Sequence, residues 1–382
     1  FDARVVRCEA GETVDARRWK DLWLIELDRT AFFPEGGGQG ADHGTLGDAH
    51  ITDCHETDGR IVHTADIALS VGECVQGHVD ALRRLSMMQQ HSGEHIFSGL
   101  VHRRFGYHNV GFHIGSDAVT MDFDGRMTLE DALEIELQVN QAIWKDLPVK
   151  AWYPSPEELA RIDYRSKKAL DGAVRIVEIE GYDTCACCGT HVSHTGQIGQ
   201  VKVIAFQNYK SGVRVSILCG MRALAYENEV FRENRDVSHL TSAKSGELAQ
   251  SVARLMEERD ELKQTLVQVS DQLFDSMIAS APEDVAVLRS DFLPVAQLRP
   301  CCGKLAGHSR IALLLSRRPD GWNYALSAHP GHLADVRPLS KELQSVFAGK
   351  GGGNKDMVQG VLSEGTEETI LAWLSSWARA HA

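Results

Sequence analysis

Two short segments, far apart in the chain, carry side chains that bind metal ions. The first reads QQHSGEHIFSGL and holds His91 and His95, and the second reads DTCACCGTHVSHTGQIG and holds Cys187 and His191. Residues four apart on a helix lie on one face, so His91 and His95 would present two imidazoles to one point. Cys187 and His191 add a thiolate and a third imidazole. Three His and one Cys suit a tetrahedral site, so we predict that the two pairs meet around one Zn²⁺ per chain.

The residues alone leave alternatives open at this point. Cys185 and Cys188 are competing thiolates, although neither has the spacing of four from His191. A second interpretation is that the cysteines are small buried apolar residues and the histidines lie at the surface. A zinc with four protein ligands is normally structural, because a catalytic zinc keeps an open position. Glu94 lies about 100° around the helix from His95, and we do not assign it as a base.

Composition restricts the function classes. The chain has 382 residues, 43% of them hydrophobic and 24% charged, which is typical of a globular protein with two or three domains. Nine cysteines, an odd number in clusters, are not a secreted disulfide framework. With no long apolar run and no signal-type N-terminus, we expect a cytoplasmic protein with no membrane partner. A net charge of −13 argues against an extended nucleic-acid surface, but it does not exclude a local basic patch.

Strand and helix patterns predict an α+β fold. Residues 1–80 contain short strand-like runs between Gly and Asp turns, which predict a small N-terminal β-barrel. A helix follows from Val79 to Phe105, with Asp80 as its cap, and strands then alternate with an amphipathic helix that begins near Thr128 and Asp131. We therefore predict an α+β core over residues 81–223 that carries the zinc.

The second half of the chain begins with a charged helical segment, residues 224–282. Apolar residues recur there in steps of four and three, with one charged interruption. The series is Leu248, Val252, Leu255, Arg259, Leu262, Leu266, Val269 and Leu273. This seam predicts either a coiled coil, within the chain or in a homodimer, or one amphipathic helix packed on its own protein. Residues 283–382 form a further α/β unit.

The motifs, taken in order, resemble a known family. The segments TAFFPEGGGQGADHGTL, MMQQHSGEHIF and CCGTHVSHTGQIG look like the editing domain of alanyl-tRNA synthetase. No synthetase catalytic domain precedes them, so the chain resembles AlaX, the freestanding alanyl-tRNA editing proteins. GKGGGNKDMVQG after a heptad helix is similar to the C-terminal DHHA1 domain, which marks the long form. The resemblance spans nearly the whole chain.

The resemblance implies particular site residues. The zinc ligands would be His91, His95, Cys187 and His191, although this chain has Cys188 where the family has a glycine. Thr30 would help to read a serine hydroxyl, and Gln39 would line the same pocket; both are our catalytic candidates. The substrate-binding candidates near them are Gly36, Gly37, Gly38 and Arg214. From the residues alone, the glycines could equally form a flexible turn, and Arg214 could simply pair with a carboxylate.

The C-terminal glycine run is a further binding candidate. Consecutive glycines can expose N–H groups as an anion nest, and flanking lysines add positive charge. The residues are Lys350, Gly351, Gly352, Gly353 and Lys355. In the family this domain helps to hold tRNA and can mediate dimers, so we expect contacts with the RNA backbone here.

The resemblance implies an enzyme that hydrolyses the ester between a wrong amino acid, serine or glycine, and tRNA(Ala). Such a hydrolase compensates for the weak rejection of these amino acids by a synthetase pocket. The alternative is a non-catalytic tRNA-binding protein whose zinc is structural. A third possibility is a hydrolase of another aminoacyl ester.

Overall fold

The structure is a computed structural model that describes residues 1–15, 17–166 and 172–381. Positions 167–171 of the predicted core and the last residue of the predicted C-terminal unit lie outside the described residues. The chain divides into two compact units, Phe1–Asp236 and Val237–Ala382. This division is coarser than the four segments predicted from the sequence.

The first unit begins with a closed antiparallel barrel, as predicted. Its strands are β1 (Asp2–Ala10), β2 (Trp23–Leu27), β3 (Gly44–Leu46), β4 (Ala49–Thr57), β5 (Arg60–Ala65) and β6 (Cys74–Val79), with the short helix α1 (Glu12–Asp15) after β1. The strand order around the barrel is β1-β2-β5-β4-β3-β6. Alternate side chains point inward, and Val5, Ile25, Leu46 and Ile51 fill the interior.

Helix α2 (Ala81–Phe105) follows the barrel and confirms the predicted helix. Asp80 caps it by accepting hydrogen bonds from the N–H groups of Leu82 and Arg83. Gly106 ends it in the left-handed conformation, with φ of 72°. Every residue from 89 to 101 is buried, so the middle of α2 is a core helix although it carries Gln, His, Ser and Glu. Polar side chains in such a place need partners.

Two further sheets and three helices complete the first unit around α2. The elements are β7 (Asn109–Ile114), β8 (Val119–Phe123), α3 (Leu129–Trp144), β9 (Val149–Trp152), α4 (Pro156–Leu159), β10 (Ile176–Ile179), β11 (Asp183–Ala186), β12 (Val201–Tyr209), β13 (Gly212–Cys219) and α5 (Gly220–Thr241). One sheet has the order β12-β13-β8-β7 and the other β11-β10-β9. Thr128 and Asp131 form the capping box of α3 that the sequence predicts. Together these elements give the mixed α+β fold predicted for this region.

The core of this region lies between α2, α3 and the four-stranded sheet. Ile96 and Phe97 of α2 contact a cluster that includes Ile135 of α3 and Met121 and Val215 of the sheet. Close packing here sets the position of α2, and therefore of the polar residues on it.

The second unit contains one five-stranded sheet with helices on its faces. Its elements are α6 (Leu248–Ala279), β14 (Val285–Arg289), α7 (Leu298–His308), β15 (Ile311–Arg318), β16 (Gly321–Ala328), α8 (Arg337–Val346), β17 (Gly349–Gly353), β18 (Met357–Leu362) and α9 (Glu367–Ala380). The strand order is β14-β15-β16-β18-β17, and only β14 and β15 pair in parallel among the described strands of this sheet. Apolar clusters lie on both faces of the sheet.

The predicted helical segment is interrupted. The chain leaves the helical conformation between α5 and α6, where Ser242 and Gly246 have φ values of 53° and 82°. On α6, Leu248 is half-buried, but the apolar seam from Val252 to Leu273 is exposed, from 39% at Val252 to 71% at Leu262. Packing within the single chain therefore does not bury the heptad positions. Within the described residues, no helix combines the length and the apolar character needed to cross a membrane.

A cavity at Ile135 should show that the packing on α3 stabilises the first unit. We expect Ile135→Ala to lower the free energy of unfolding by about 2–5 kcal/mol, because the residue is fully buried and its loss leaves a void. The measurement is denaturant unfolding followed by near-ultraviolet circular dichroism. Leu137→Ala on the exposed face of the same helix is the control, with an expected change within about 0.5 kcal/mol. Equal effects of the two changes would contradict the proposed role of this core.

Candidate metal centre

Helix α2 and the loop after β11 bring four potential metal ligands together. His91 and His95 lie one helical turn apart with ring centroids 5.1 Å from each other. The loop places His191 between them, with its ring 4.5 Å from His91 and 4.6 Å from His95. The Sγ of Cys187 lies 3.4 Å from Nε2 of His91 and 3.5 Å from Nε2 of His191. One donor atom from each of the four lies within 4.8 Å of the others.

Each imidazole is oriented by a hydrogen bond on its other nitrogen. Nδ1 of His91 lies 2.9 Å from Oε1 of Gln39, and Nδ1 of His95 lies 2.9 Å from Oδ2 of Asp183. Nδ1 of His191 lies 3.1 Å from the hydroxyl of Ser92. The oxygens of Gln39 and Asp183 can only accept, so they keep the protons of His91 and His95 on Nδ1 and leave Nε2 free for a cation. The Ser92 hydroxyl can donate or accept, and it fixes the orientation of the His191 ring.

The chemistry of this donor set fits zinc. Imidazole nitrogens and thiolates are the donors that tetrahedral zinc prefers, and metal-binding histidines usually donate their other N–H to an oxygen, as Nδ1 of His91 and His95 does here. The structure thus places the four residues as the sequence predicts, and their role as metal ligands stays a prediction.

The three clustered cysteines differ in position, and only one of them lies where it could bind a metal ion together with the imidazoles. Cys187 lies beside the imidazoles, while Cys188 is exposed and Cys185 is buried on β11. Cys185 groups instead with His95 and Asp183, on the side of the ring away from the centre. Only the thiol of Cys187 contacts two Nε2 atoms among the described residues.

Gln39 supports the centre from behind His91. Its side chain is 1% exposed, its Oε1 also accepts from the backbone N–H of Thr190 at 3.2 Å, and its Nε2 donates to the Thr190 hydroxyl at 2.8 Å. The amide thus links the glycine-rich loop to the loop of Cys187 and His191. Its hydrogen bonds go to protein groups, which places it as an orienting residue for His91.

The glycine-rich loop needs glycine at two positions. Gly37 and Gly38 have φ values of 61° and 85°, which favour glycine. A Cβ on Gly38 would lie 2.6 Å from the ring of Phe112, and that ring packs 5.2 Å from the ring of His91. Reciprocal backbone hydrogen bonds of 3.0 Å between Gly36 and Gln39 close the loop. This turn places the side chain of Gln39 beside His91. The glycine-rich segment is therefore both the predicted turn and a part of the candidate site.

Asp183 and Arg165 form a buried pair that sequence spacing does not reveal. Nε of Arg165 donates to Oδ1 of Asp183 at 2.7 Å, and Oδ2 accepts from His95. Burial raises the pKa of Asp183, but the hydrogen bond from His95 and the charge of Arg165 outweigh burial and lower the pKa. Asp183 therefore stays ionised and keeps its hydrogen bond to His95. The alternation of residues in β11 could indicate that the Asp183 carboxylate points inward. Nothing in the sequence identifies Arg165 and His95 as its partners.

Glu94 reaches the centre although its helical position points away from the shared face. Its Oε1 accepts from the Ser98 hydroxyl at 2.6 Å and from the Asn109 amide at 2.7 Å. Its Oε2 lies 4.0 Å from Nε2 of His95. A long side chain can turn back along the helix, which position on a helical wheel does not include. Glu94 thus adds a fully buried carboxylate beside the ligand nitrogens.

Thr30 lies in the barrel region, and its partners determine the direction of each hydrogen bond that its hydroxyl makes. Nδ1 of His63 lies 3.0 Å from the carbonyl of Ile25, so Nδ1 carries the proton and Nε2 accepts. Burial lowers the pKa of His63, which keeps this imidazole neutral. The Thr30 hydroxyl, 2.9 Å from Nε2, must therefore donate to His63, and it accepts from the N–H of Phe32 at 3.0 Å. One acceptor position remains on this hydroxyl.

Arg214 is held by a carboxylate, which is one of the two alternatives that the sequence leaves open. Its Nε and Nη2 donate to the two oxygens of Asp122 at 2.5 and 2.7 Å, and the guanidinium stacks 4.0 Å above the ring of Tyr209. Its role in binding substrate stays a prediction.

The C-terminal glycine run does not form the predicted anion nest. Residues Gly349–Gly353 are the edge strand β17, paired in antiparallel fashion with β18. A nest requires alternating right- and left-handed backbone, and none of Gly351, Gly352 and Gly353 has positive φ. The glycine run is an extended strand and not a nest, because β18 supplies hydrogen-bond partners for its backbone N–H and C=O groups. Lys350 and Lys355 lie on and just after this strand, where they remain candidates for contact with RNA.

The chain is similar in sequence to alanyl-tRNA editing proteins and to aminoacyl-tRNA synthetases. Residues 174–216 match the family described as the second additional domain of threonyl- and alanyl-tRNA synthetases. The chain is 28% identical to the "Alanyl-tRNA editing protein AlaX-L" of Pyrococcus horikoshii, across 93% of this chain and 92% of that protein. The resemblance inferred from the motifs is thereby confirmed.

Alanine–tRNA ligases are similar over part of their length. The enzyme of Pyrococcus abyssi is 29% identical across 95% of this chain, and that of Natronomonas pharaonis is 30% identical across 67%. The chain spans 41% of the former and 29% of the latter. Among solved structures, the C-Ala domain of the alanyl-tRNA synthetase of Aquifex aeolicus matches 25% of this chain and 87% of its own, with 18% identity and a TM-score of 0.22.

The thiol of Cys187 should be ionised in the metal-free protein. Burial raises its pKa, but the positive charge of the neighbouring His95 acts in the opposite direction, and the pKa lies well below its ordinary value. Because the pKa is lowered, the thiolate should persist as the pH falls to about 5, where an ordinary cysteine with a pKa of about 8.5 is protonated. The measurement is the ultraviolet thiolate absorbance of the metal-free protein minus that of Cys187→Ser. A difference that arises only above about pH 8 would contradict the thiolate–imidazole pairing.

Proposed function

We propose that this chain is a long-form AlaX protein, a trans-editing hydrolase that deacylates tRNA(Ala) mischarged with serine or glycine at a zinc-containing site. The observation that carries the proposal is the convergence of His91, His95, His191 and Cys187, each imidazole oriented through Nδ1. The similarity to AlaX-L over nearly both whole chains supports the same conclusion.

The proposed reaction corrects errors that arise because a synthetase pocket discriminates only weakly between similar amino acids. A pocket built for alanine rejects an amino acid that only adds a hydroxyl, or that lacks a methyl group, by a small factor. A second site that hydrolyses the wrong ester restores accuracy. Ester hydrolysis needs a polarised carbonyl and a positioned water molecule.

Zinc, when bound, would supply a Lewis acid near the ester and lower the pKa of a water molecule. The protein residues prepare the site for it. Gln39 and Asp183 hold the protons of His91 and His95 on Nδ1, which keeps both Nε2 atoms available. The Cys187 thiolate supplies a negative charge, and the buried carboxylate of Glu94 adds a second one close to His95. The site is thus built to prefer a cation.

Thr30 is proposed to read the serine hydroxyl. Its own proton is donated to His63, so it can only accept one more hydrogen bond. A serine side chain can donate that bond, while the methyl group of alanine cannot. This arrangement favours hydrolysis of seryl-tRNA over correctly charged alanyl-tRNA.

Two further parts of the proposal concern how the chain holds its substrate and assembles. Strand β17 with Lys350, Lys355 and the glycines between them is proposed to contact the tRNA backbone, where the absence of side chains allows close approach. The exposed seam of α6 is proposed to contribute to a homodimer.

A non-catalytic tRNA-binding protein with structural zinc is the second candidate. The number of protein donors favours it, since four of them leave no open position on a tetrahedral zinc. The net charge of −13 does not distinguish the two candidates, because both require a local surface for RNA.

Deacylation of a tRNA panel separates the candidates. We expect the purified protein to hydrolyse seryl- or glycyl-tRNA(Ala) and to spare alanyl-tRNA(Ala), with zinc measured on the same sample. His95→Ala should abolish deacylation and reduce the zinc content, because it removes one ligand and the group that Asp183 orients. The matched control is His194→Ala, an exposed histidine of the same loop region, which should retain both.

Each contrary result has a clear meaning. Stoichiometric zinc without hydrolysis of any of the three esters would favour the structural-zinc candidate. Full activity of a metal-free His95→Ala protein would exclude a role for zinc. Hydrolysis of other aminoacyl esters in preference to all three would indicate a different hydrolase.

The role of Thr30 predicts a change in selectivity. We expect Thr30→Val to reduce the preference for seryl- over alanyl-tRNA(Ala) by about three- to tenfold, the range that one net hydrogen bond provides. Thr30→Ser keeps the hydroxyl and should retain the preference. The measurement is the ratio of kcat/KM for the two substrates, and an unchanged ratio in Thr30→Val would refute the proposed role.

A further inference from the structure

A cleft in the first unit carries two arginines that form no ion pair with a carboxylate among the described residues. It has a volume of about 560 Å³ and is lined by residues that include Gly40, His43, Arg83, Gly115 and Arg222. These come from the glycine-rich loop, the barrel, the start of α2, the β7–β8 turn and the start of α5. We name it the arginine cleft.

Both arginines hydrogen-bond to backbone carbonyls. Nε of Arg83 donates to the carbonyl of Ala41 at 3.0 Å, and Nη2 of Arg222 donates to the carbonyl of Gly115 at 2.9 Å. In the described part of the chain neither guanidinium has a carboxylate within 4.0 Å, whereas the neighbouring Arg84 is paired with Asp42. Each guanidinium has five N–H groups, so donors remain for a ligand.

The other titratable groups near the cleft leave it positive. Asp80 lines it, but its carboxylate caps α2 through the N–H groups of Leu82 and Arg83, both at 3.0 Å. Burial, and then the charge of Arg83, lowers the pKa of His43, which keeps that ring neutral. Burial lowers the pKa of Arg222, and the nearby Cys219 and Asp117 oppose that effect; Asp117 makes no ion pair with Arg222. Asp53 and Asp42 also act on His43, and Asp42 is paired with Arg84. Within the lining itself, two guanidinium charges exceed one carboxylate.

The cleft adjoins the candidate metal centre along α2. Arg83, Met87 and His91 follow at intervals of four, so they share a face of the helix, and Met87 lines the cleft one turn before His91. Eight residues of helix separate Arg83 from His91, which corresponds to about 12 Å. Gly40 also lines the cleft, directly after Gln39, whose amide holds His91.

We propose that the arginine cleft binds a backbone phosphate in the single-stranded acceptor end of tRNA, with Arg83 and Arg222 as the donors. A guanidinium matches the geometry of a phosphate and binds it in a bidentate manner. The position, within a few nucleotides' reach of the centre, would align the terminal ester with the ligand cluster. On a chain with net charge −13, such a local site also opposes the general repulsion of RNA. This inference rests on the proposed function, since it takes tRNA as the ligand.

The test is the salt dependence of binding to an RNA hairpin that carries the acceptor stem and a single-stranded 3′ end. We expect Arg83→Gln and Arg222→Gln each to weaken binding and to reduce the slope of log Kd against log salt by about 0.7, the value for one phosphate contact on a single strand. Arg161→Gln, which removes an exposed arginine of the same unit, should leave affinity and slope unchanged. A hairpin without the 3′ extension should bind the cleft variants and the unaltered protein equally.

Further variants exclude a loss of folding. Arg222 also holds the β7–β8 turn, so Arg222→Lys, which retains the charge, should recover most of the slope if the contact is electrostatic. Near-ultraviolet circular dichroism of each variant checks the fold. Unchanged slopes in both Gln variants, or an equal effect on the hairpin without the extension, would overturn the proposal.

Two more measurements separate the alternatives. Saturable binding of inorganic phosphate that Arg83→Gln abolishes, with no change in the RNA slope, would assign the cleft to free phosphate and overturn the assignment to RNA. If the hairpin slopes change as expected but no tRNA is deacylated, the cleft stands and the editing proposal fails. If deacylation occurs, the cleft variants should raise KM and leave kcat unchanged, because neither arginine contacts the ester.

Discussion

The structure of the first unit depends on the pairing of polar groups on a helix that is buried on every side. Residues 89–101 of α2 are all inside the protein, and they include imidazole, amide, hydroxyl and carboxylate groups. A buried polar group without a hydrogen-bond partner lowers the stability of the fold, so each of these groups must lie next to a donor or an acceptor. Gln90 pairs with the backbone of Cys219 at 2.8 and 2.9 Å, and His91 and His95 pair with Gln39 and Asp183. These contacts join the barrel, the sheets and the 187–191 loop to one helix.

The same contacts make the centre suited to a cation. Without a metal, the charge of His95 lowers the pKa of Cys187, although burial acts to raise it. The charge of Cys187 and the hydrogen bond to Asp183 raise the pKa of His95 well above its ordinary value, although burial acts to lower it. Positive charge on His95 thus stabilises the thiolate. A metal ion held by these residues would take the place of that charge. The ligands and their supporting residues form one electrostatic unit.

Charge on this protein is organised locally. The overall charge of −13 hides a cleft where two guanidinium groups face backbone carbonyls, and the buried carboxylate of Asp183 orients an imidazole. Surface pairs such as Arg235 with Asp236 contribute little, because water and salt screen exposed charges. The function of a charged residue here depends on what neutralises it, which net charge does not report.

Features that depend on neighbouring residues could be predicted from the sequence alone. The limits of α2 follow from Asp80 and Gly106, and the capping box of α3 follows from Thr128 and Asp131, because a cap involves residues within one turn. Short alternating runs between turns predicted the barrel, and the spacing of four selected the two ligand pairs.

Features that depend on contacts between distant segments were decided by tertiary structure. Asp183 and Arg165 lie beside the centre without any spacing relation to it, and Glu94 turns towards it although its helical position points away. Arg214 pairs with Asp122 on the neighbouring strand. The C-terminal glycines form a strand, against the predicted nest, because β18 offers a row of hydrogen-bond partners that no local rule contains. Local preferences act over one turn or one strand, whereas the choice of partner for a buried polar group is made only when the whole core is packed.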